Sequence, residues 1–323
     1  MSEKYPTYII DAFTSERFAG NQAAVCLIPR VLRDEEYRKV AAEFNLSETA
    51  FPIPIDGDFQ TASKFSLRWF TPTTEVPLCG HATLGTSHIL FHELGNTSSA
   101  ITFGTKSGEL VVKKKGHDSV EMDFPQYAIT SVRFVGAPNP FAKFFSEFDA
   151  PAHLHDLIEC IIPSTINVEG VAYASEAKKL IIVVDKQTTN FEFAEISTIQ
   201  CPKMKALDPD GNFIRGVIVT LAPANAKNQG FTDSKDEPYD YVCRYFAPWV
   251  GITEDPATGS AQCALAPFWS PILGKRDLYV YQSYPNRGAQ FRVQLRDSNR
   301  LSLVGESVTV LKGELYLNEA VFY

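Results

Sequence analysis

The chain has no Cys-x-x-Cys pair. Its six cysteines (Cys26, Cys79, Cys160, Cys201, Cys243 and Cys263) are scattered over 323 residues, too sparse for a disulfide framework and without zinc spacing. No apolar run reaches membrane-spanning length. Met1-Ser2-Glu3-Lys4-Tyr5-Pro6 holds no apolar signal region, so the expected location is the cytoplasm, with reduced thiols. Positive charge is not in surplus: 30 Lys and Arg stand against 38 Asp and Glu, a net −8. That balance argues against nucleic acid or an anionic membrane as a partner. Glycine-rich dinucleotide and P-loop fingerprints are missing, so no cofactor is expected. The G-x-S-x-G elbow is missing too, which disfavours a hydrolase triad of Ser260, His81 and Asp255, two of which lie within one turn. His88 and His92 stand four residues apart on one expected helix, but Ile89 follows His88, so the H-E-x-x-H zinc signature is absent. Structural histidines and no bound metal are the expectation.

What is present builds a globular protein. Hydrophobic residues make up 45% and charged residues 21%, with 23 phenylalanines for sizeable cores. The length favours two domains. Pro125-Gln126 is the expected boundary, giving domains 1–126 and 127–311, with a last strand at about 312–323 completing the first.

The organising stretch is Leu78-Cys79-Gly80-His81-Ala82-Thr83-Leu84-Gly85, echoed by Glu254-Asp255-Pro256-Ala257-Thr258-Gly259-Ser260-Ala261. Each follows an aromatic strand, Phe65 to Phe70 or Tyr239 to Phe246, through a Pro-containing loop. In each, a glycine opens a run of small helix-forming residues. A helix N-terminus presents free N–H groups and partial positive charge, a ready place for an anion. Two such ends in two related halves predict a small carboxylate as ligand. Ordinary strand–loop–helix connections would look the same.

Strands are expected at Tyr8 to Phe13, Ala23 to Ile28, Lys64 to Phe70, Ala100 to Phe103, Glu109 to Lys114 and Val120 to Phe124. Lys113 to Asp118 reads as a hairpin tip. Tyr37, Val40, Ala41 and Phe44 share one face of a helix over Asp34 to Phe44. A small-residue helix runs from about His81 to His92. The second half should hold helices at Phe141 to Phe148 and within Phe191 to Thr198. Its strands are expected at Val168 to Ala174, Lys179 to Val184 and Gly211 to Leu221, then a polar loop, Pro223 to Pro238, and a strand-rich tail. Small-residue helices this unpolar suit burial inside a curled sheet, hence an α+β fold.

Glu48, between apolar neighbours just past a helix end, is a candidate for proton transfer, because burial favours the neutral carboxyl and raises its pKa. A surface glutamate is the alternative. His81, at a helix start, would be held neutral by the helix field and could hydrogen-bond a substrate oxygen, or be satisfied by backbone. Asp255, Thr258 and Ser260 surround the second helix start, either as caps or as ligand contacts. Cys79 raises an epimerase reading, but the second half offers no matching thiol at its turn.

Asp11-Ala12-Phe13, Phe18-Ala19-Gly20-Asn21, Ser47-Glu48-Thr49-Ala50-Phe51, Phe70-Thr71-Pro72, Cys79-Gly80-His81-Ala82-Thr83 and Glu254 to Ala261 together resemble the PhzF (phenazine biosynthesis-like) family, in order and over nearly the whole chain. The resemblance implies a diaminopimelate-epimerase-like fold, in which two similar domains each wrap a barrel-like, mostly antiparallel sheet around a central helix, with the active site between them. It implies an isomerase in which Glu48 moves a proton between carbons of a small unsaturated carboxylic acid. His81, Asp255 and Ser260 would act with it, and Gly80, Gly259, Asn21 and Thr258 would bind the substrate. It also implies a homodimer without cofactor or metal. A protein that keeps the fold and binds a metabolite or another protein without turnover is the alternative.

Overall fold

The computed structural model describes residues 2–116, 118–134, 139–198 and 200–318, so His117 of the expected hairpin tip and residues 319–323 of the expected last strand lie outside the described residues. The chain divides into two compact units, 1–123 with 303–323, and 124–302.

The first unit holds β1 (Ser2–Ala12), β2 (Asn21–Cys26), α1 (Asp34–Phe44), β3 (Glu48–Pro54), β4 (Lys64–Phe70), β5 (Glu75–Val76), α2 (Gly80–His88), β6 (Ala100–Thr105), β7 (Gly108–Lys115) and β8 (Ser119–Pro125). The second contributes β9 (Thr130–Arg133), β10 (Glu147–Asp149), α3 (Leu154–Ile161), β11 (Val168–Ala174), β12 (Lys179–Val184), α4 (Asn190–Ala194), α5 (Cys201–Leu207), β13 (Gly216–Leu221), α6 (Ala226–Gln229), β14 (Tyr241–Ala247), β15 (Ile252–Asp255), α7 (Gly259–Leu273), β16 (Asp277–Tyr284) and β17 (Arg287–Leu295). The long β18 (Arg300–Asn318) begins in the second unit and continues into the first.

In the first unit β1 lies between β18 and β2, and pairing continues through β3, β4, β6, β7 and β8, which returns to β18. The sheet therefore closes on itself, and α2 is the helix inside it, buried from His81 to His88. Small residues make this possible. A Cβ on Gly85 would come within 2.3 Å of Ile10 Cδ1, so the helix lies against β1 at glycine distance. Hydroxyls inside the barrel are satisfied by the helix itself: Thr86 and Ser87 donate to the Ala82 and Thr83 carbonyls, both at 2.7 Å. Beyond His88 the helix widens into a π-turn at Ile89–Glu93.

Helix α1 carries Asp34, Glu35 and Glu36 in its first turn, where the dipole favours negative charge. Its stop is Asn45 in the left-handed region at φ 49°, a conformation asparagine tolerates. That stop delivers Ser47 and Glu48 to the start of β3. The parallel pairing of Ala23 with Glu48 then fixes the glutamate beside the start of β2.

The second unit repeats the plan. Its sheet runs β10-β9-β11-β12-β13-β14-β16-β17. In both units an aromatic strand is followed by a short return strand and then a small-residue helix. β5 folds back on β4 and α2 follows, while β15 folds back on β14 and α7 follows. The interior of α7 is apolar from Ala261 to Ala266 except for Gln262, which accepts from Tyr241 Oη at 2.8 Å.

Three expectations fail locally. Phe141 to Phe148 is not a helix but turns leading into β10, because Phe141 and Phe145 pack their rings on Phe268 at 5.0 and 5.4 Å. The strand expected from Gly211 starts only at Gly216, since the Asp208 carboxylate collects the N–H groups of Asn212, Phe213 and Ile214 into a loop. The polar loop Pro223 to Pro238 contains the one-turn α6 and a bridge between Thr232 and Pro238.

Candidate active site

In the first unit, the end of α1 and the starts of β2, β3 and α2 bring Asn21, Ser47, Glu48, Cys79 and His81 together. Glu48 is 7% exposed and His81 6%. His81 Nε2 lies 3.1 Å from Glu48 Oε2, an ion-pair distance. Oε2 is buried and has no hydrogen-bond partner among the described residues. Asn21 Nδ2 sits 3.2 Å from His81 Nδ1, and Ser47 Oγ sits 3.3 Å from Nε2. Ser47 also donates to the Gln22 carbonyl at 3.1 Å, which ties β2 to the start of β3. Cys79 Sγ approaches Nδ1 at 3.5 Å. Gly80 opens α2 behind an N-cap, Cys79, that makes no side-chain capping bond.

These contacts overturn both protonation expectations. Burial pushes the Glu48 carboxyl up, but the charge of the neighbouring His81 offsets it and the net direction is below the usual carboxylate value. Burial and the helix field oppose a charged His81, but the Cys79 sulfur and the Glu48 carboxylate raise its pKa well above the usual value. Both directions favour the carboxylate–imidazolium form of the pair. The Cys79 thiol is pushed up by burial and then by Glu48, so it holds its proton. The surface reading of Glu48 and the backbone-satisfied reading of His81 are both excluded by this geometry.

In the second unit Asp255, Thr258, Gly259 and Ser260 gather at the start of α7. Thr258 is the N-cap but its side chain caps nothing. Its hydroxyl donates instead to Asp255 Oδ2. The loop between them is stapled by Gln282, fully buried on β16. Gln282 Oε1 accepts the Thr258 N–H at 2.8 Å, and Nε2 donates to the Asp255 carbonyl at 2.6 Å. Ser260 Oγ accepts from Lys179 Nζ at 3.2 Å, and the same Nζ donates to Tyr245 Oη at 2.8 Å. Simple side-chain capping therefore does not account for these polar residues.

Sequence reasoning missed Lys179, Tyr245 and Gln282. A signal for Lys179 was present: it opens Lys-Leu-Ile-Ile-Val-Val, an otherwise apolar strand whose six residues are all buried. Gln282 carried none, since its role comes from β16 pairing beside β14.

Donor atoms of Glu48, Cys79 and His81 lie within 4.8 Å of one another, a set a metal could reach. An imidazolium has no nitrogen lone pair to give a metal, and the thiol keeps its proton, so the set fits the charged pair better than a metal. The His88 and His92 rings lie 5.2 Å apart between centres, tilted at 40° to each other, with His88 Nε2 3.3 Å from Thr309 Oγ1. Among the described residues no helix is long and apolar enough to cross a membrane.

The sequence matches the model of the phenazine biosynthesis-like protein family over residues 10–135 and 143–313. It is 38% identical over 314 residues to phenazine biosynthesis-like domain-containing protein 1 of Mus musculus, covering 97% of this chain and 99% of that one. An uncharacterized isomerase of Halalkalibacterium halodurans is 37% identical over 320 residues, covering 97% and 98%. Among solved structures, a phenazine biosynthesis protein of the PhzF family from Enterococcus faecalis is 30% identical with a TM-score of 0.75, covering 98% of this chain and 100% of its own. A hydroxyproline epimerase from Agrobacterium vitis shares the fold alone, with a TM-score of 0.53 at 10% identity, covering 98% and 94%. The fold is diaminopimelate-epimerase-like.

Proposed function

The chain belongs to the phenazine biosynthesis-like family, and on that premise we propose that it is an isomerase moving a proton between carbons of a small unsaturated carboxylic acid, with Glu48 taking and returning the proton. The observation that carries this reading is the buried Glu48 Oε2, without a hydrogen-bond partner among the described residues and 3.1 Å from His81 Nε2. A lone pair so placed is free to meet a C–H bond.

The Glu48 carboxylate removes a proton from a carbon next to a C=C bond. The C–H electron pair becomes the new double bond, the old π pair moves to the far carbon, and the Glu48 carboxylic acid protonates that carbon. Atoms and charge balance without a co-reactant. A carboxylate with a lowered pKa is a weak carbon base, so the substrate C–H must be acidified by both an alkene and a carbonyl or carboxyl group. That favours β,γ-unsaturated or cyclic diene acids. The His81 imidazolium would stabilise the negative charge that develops on oxygen. Asn21 and Gly80, and in the second unit Asp255, Thr258, Gly259 and Ser260, are the proposed substrate contacts. The thiol of Cys79 is a poor base because it keeps its proton, and a Cys79→Ser variant that still turns over would remove it from the chemistry.

Incubation in D2O with a panel of such acids, followed by NMR, tests the reading. Deuterium should enter carbon positions with the wild type and not with Glu48→Gln, which should still bind the acid. Exchange that survives in Glu48→Gln would sink the proposed role.

A further inference from the structure

Lys179 is an anomaly on physical grounds. It is 5% exposed, and among the described residues no carboxylate lies within ion-pair distance of it. Its hydrogen-bond partners are two neutral oxygens, Tyr245 Oη and Ser260 Oγ. An ammonium carries three donors, so one has no protein acceptor among the described residues. A buried ammonium gains from an opposite charge, which a bound anion would supply.

The surroundings are built for this geometry. Lys179 starts β12 and pairs in parallel register with Gly216 on β13. A Cβ on Gly216 would come 2.4 Å from Tyr245 Oη, so the glycine clears the space through which the phenol reaches the amine. The amine also lies 4.2 Å from the centre of the Tyr245 ring. Ser260 sits in the first turn of the fifteen-residue α7, whose N-cap side chain leaves the turn uncapped. An anion there would find a cation, a serine hydroxyl and helix N–H groups together.

We propose that Lys179, with Ser260 and Tyr245, is the residue that binds the carboxylate of the substrate. The inference takes from the proposed function only that the substrate is a carboxylic acid. It does not depend on Glu48 moving a proton.

The test is binding, not turnover. Calorimetry on the full chain would compare benzoate and cyclohex-3-ene-1-carboxylate with their uncharged amides and with inorganic phosphate. Lys179→Met, which keeps the apolar stem, should weaken the carboxylates at least about tenfold, the loss expected for one charge-assisted bond, and leave the amides unchanged. Lys179→Arg should recover part of the affinity, and Ser260→Ala should lose less than Lys179→Met. The proposal is overturned by equal carboxylate affinity in wild type and a folded Lys179→Met. It is equally overturned if the wild type binds none of the carboxylates, or prefers phosphate to them. Should Lys179→Met not fold, Lys179→Arg and Ser260→Ala decide: carboxylate affinities unchanged in both would refute the role. Lys179-dependent binding together with absent carbon exchange would leave this inference standing while the Glu48 reading falls.

Discussion

Arg244 grips Glu254 through two parallel hydrogen bonds, Nε to Oε1 at 2.6 Å and Nη2 to Oε2 at 2.8 Å. Both side chains are almost fully buried, and Arg244 Nη1 also donates to the carbonyls of Phe193, Ala194 and Ile196. The grip fixes the return strand β15 at the residue just before Asp255. The first unit repeats it: Arg68, two residues before Phe70 as Arg244 is before Phe246, binds Glu75 on β5 at 2.8 and 2.6 Å. The difference is burial, since Arg68 retains 22% side-chain exposure. Removing one partner of a buried pair strands the other, at about 3–5 kcal/mol. A more exposed pair is worth about 1 kcal/mol or less. Glu254→Gln should therefore lower the unfolding midpoint far more than Glu75→Gln in parallel urea titrations. Equal losses would show that the two grips are energetically alike.

Gly85→Ala tests the helix inside the barrel. Alanine is the better helix former by about 1 kcal/mol, so an uncrowded site would gain stability. Here the new Cβ would meet Ile10 Cδ1 and Cγ1 at 2.3 and 2.5 Å, and Ile10 is fully buried. Overpacking of this kind costs about 1–3 kcal/mol, so the net change should be a loss. In an Ile10→Ala background the same substitution should become neutral or favourable, because the crowding atoms are gone. A double-mutant cycle measures that coupling, and a cycle that sums to zero would place the strain elsewhere.

Much of this site is legible in the chain because glycine, proline and small residues mark the two turns wherever they fall in the fold. The run Gly80 to Gly85 predicts a helix wrapped by strands, and α2 is that helix. The spacing Ser47-Glu48 after a helix stop likewise predicts a glutamate at a strand start among apolar neighbours. Its protonation is not legible, because the nearest charge, His81, is 33 residues away in sequence and 3.1 Å away in space. Local context raises the carboxyl and a distant partner lowers it. Gln282 is hidden for the same reason, since it acts on a loop that only strand pairing brings beside it, whereas Lys179 shows as a lone cation opening an apolar strand but its partners Tyr245 and Ser260 do not. The helix expected at Phe141 to Phe148 fails in the opposite direction, since a periodic aromatic run is captured by the ring of Phe268.

His88 predicts a specific acid sensitivity. Burial first, then the neighbouring His92, pushes its pKa down to about 4. A histidine held neutral in the fold and free to protonate when unfolded contributes nothing unfavourable above the unfolded value of about 6.5. Stability should then fall as pH drops from about 6.5 towards about 4, by roughly 3 kcal/mol in all. His88→Gln can still donate to Thr309 but cannot titrate. Urea unfolding between these two pH values should show a shallower decline for the variant, and parallel declines would mean that His88 does not control the acid limb.

The Glu48–His81 pair makes the opposite prediction on the alkaline side. The Glu48 pKa is lowered in the fold, so its contribution is full above the unfolded carboxylate value and is lost as pH falls through the lowered one. The His81 pKa is raised, so its contribution is full below about 6.5 and is lost as pH rises through the raised value. These are one interaction seen from its two ends, and it is at full strength between about pH 4.5 and about pH 6.5. His81→Gln removes the charge but keeps a hydrogen-bonding side chain. The stability gap between wild type and His81→Gln should be widest in that window and should close as pH rises past neutrality. Proton exchange into substrate carbon should respond in step, because without the imidazolium the largest offset to the burial that protonates Glu48 is gone. In His81→Gln the carboxyl pKa should climb, and the exchange rate should acquire an ionisation above the usual carboxylate range that the wild type lacks. A stability gap that stays constant from about pH 5 to about pH 10 would mean that His81 is neutral in the fold. Glu48 would then be a buried carboxyl with a raised pKa, and the chemistry would start from the acid rather than the base.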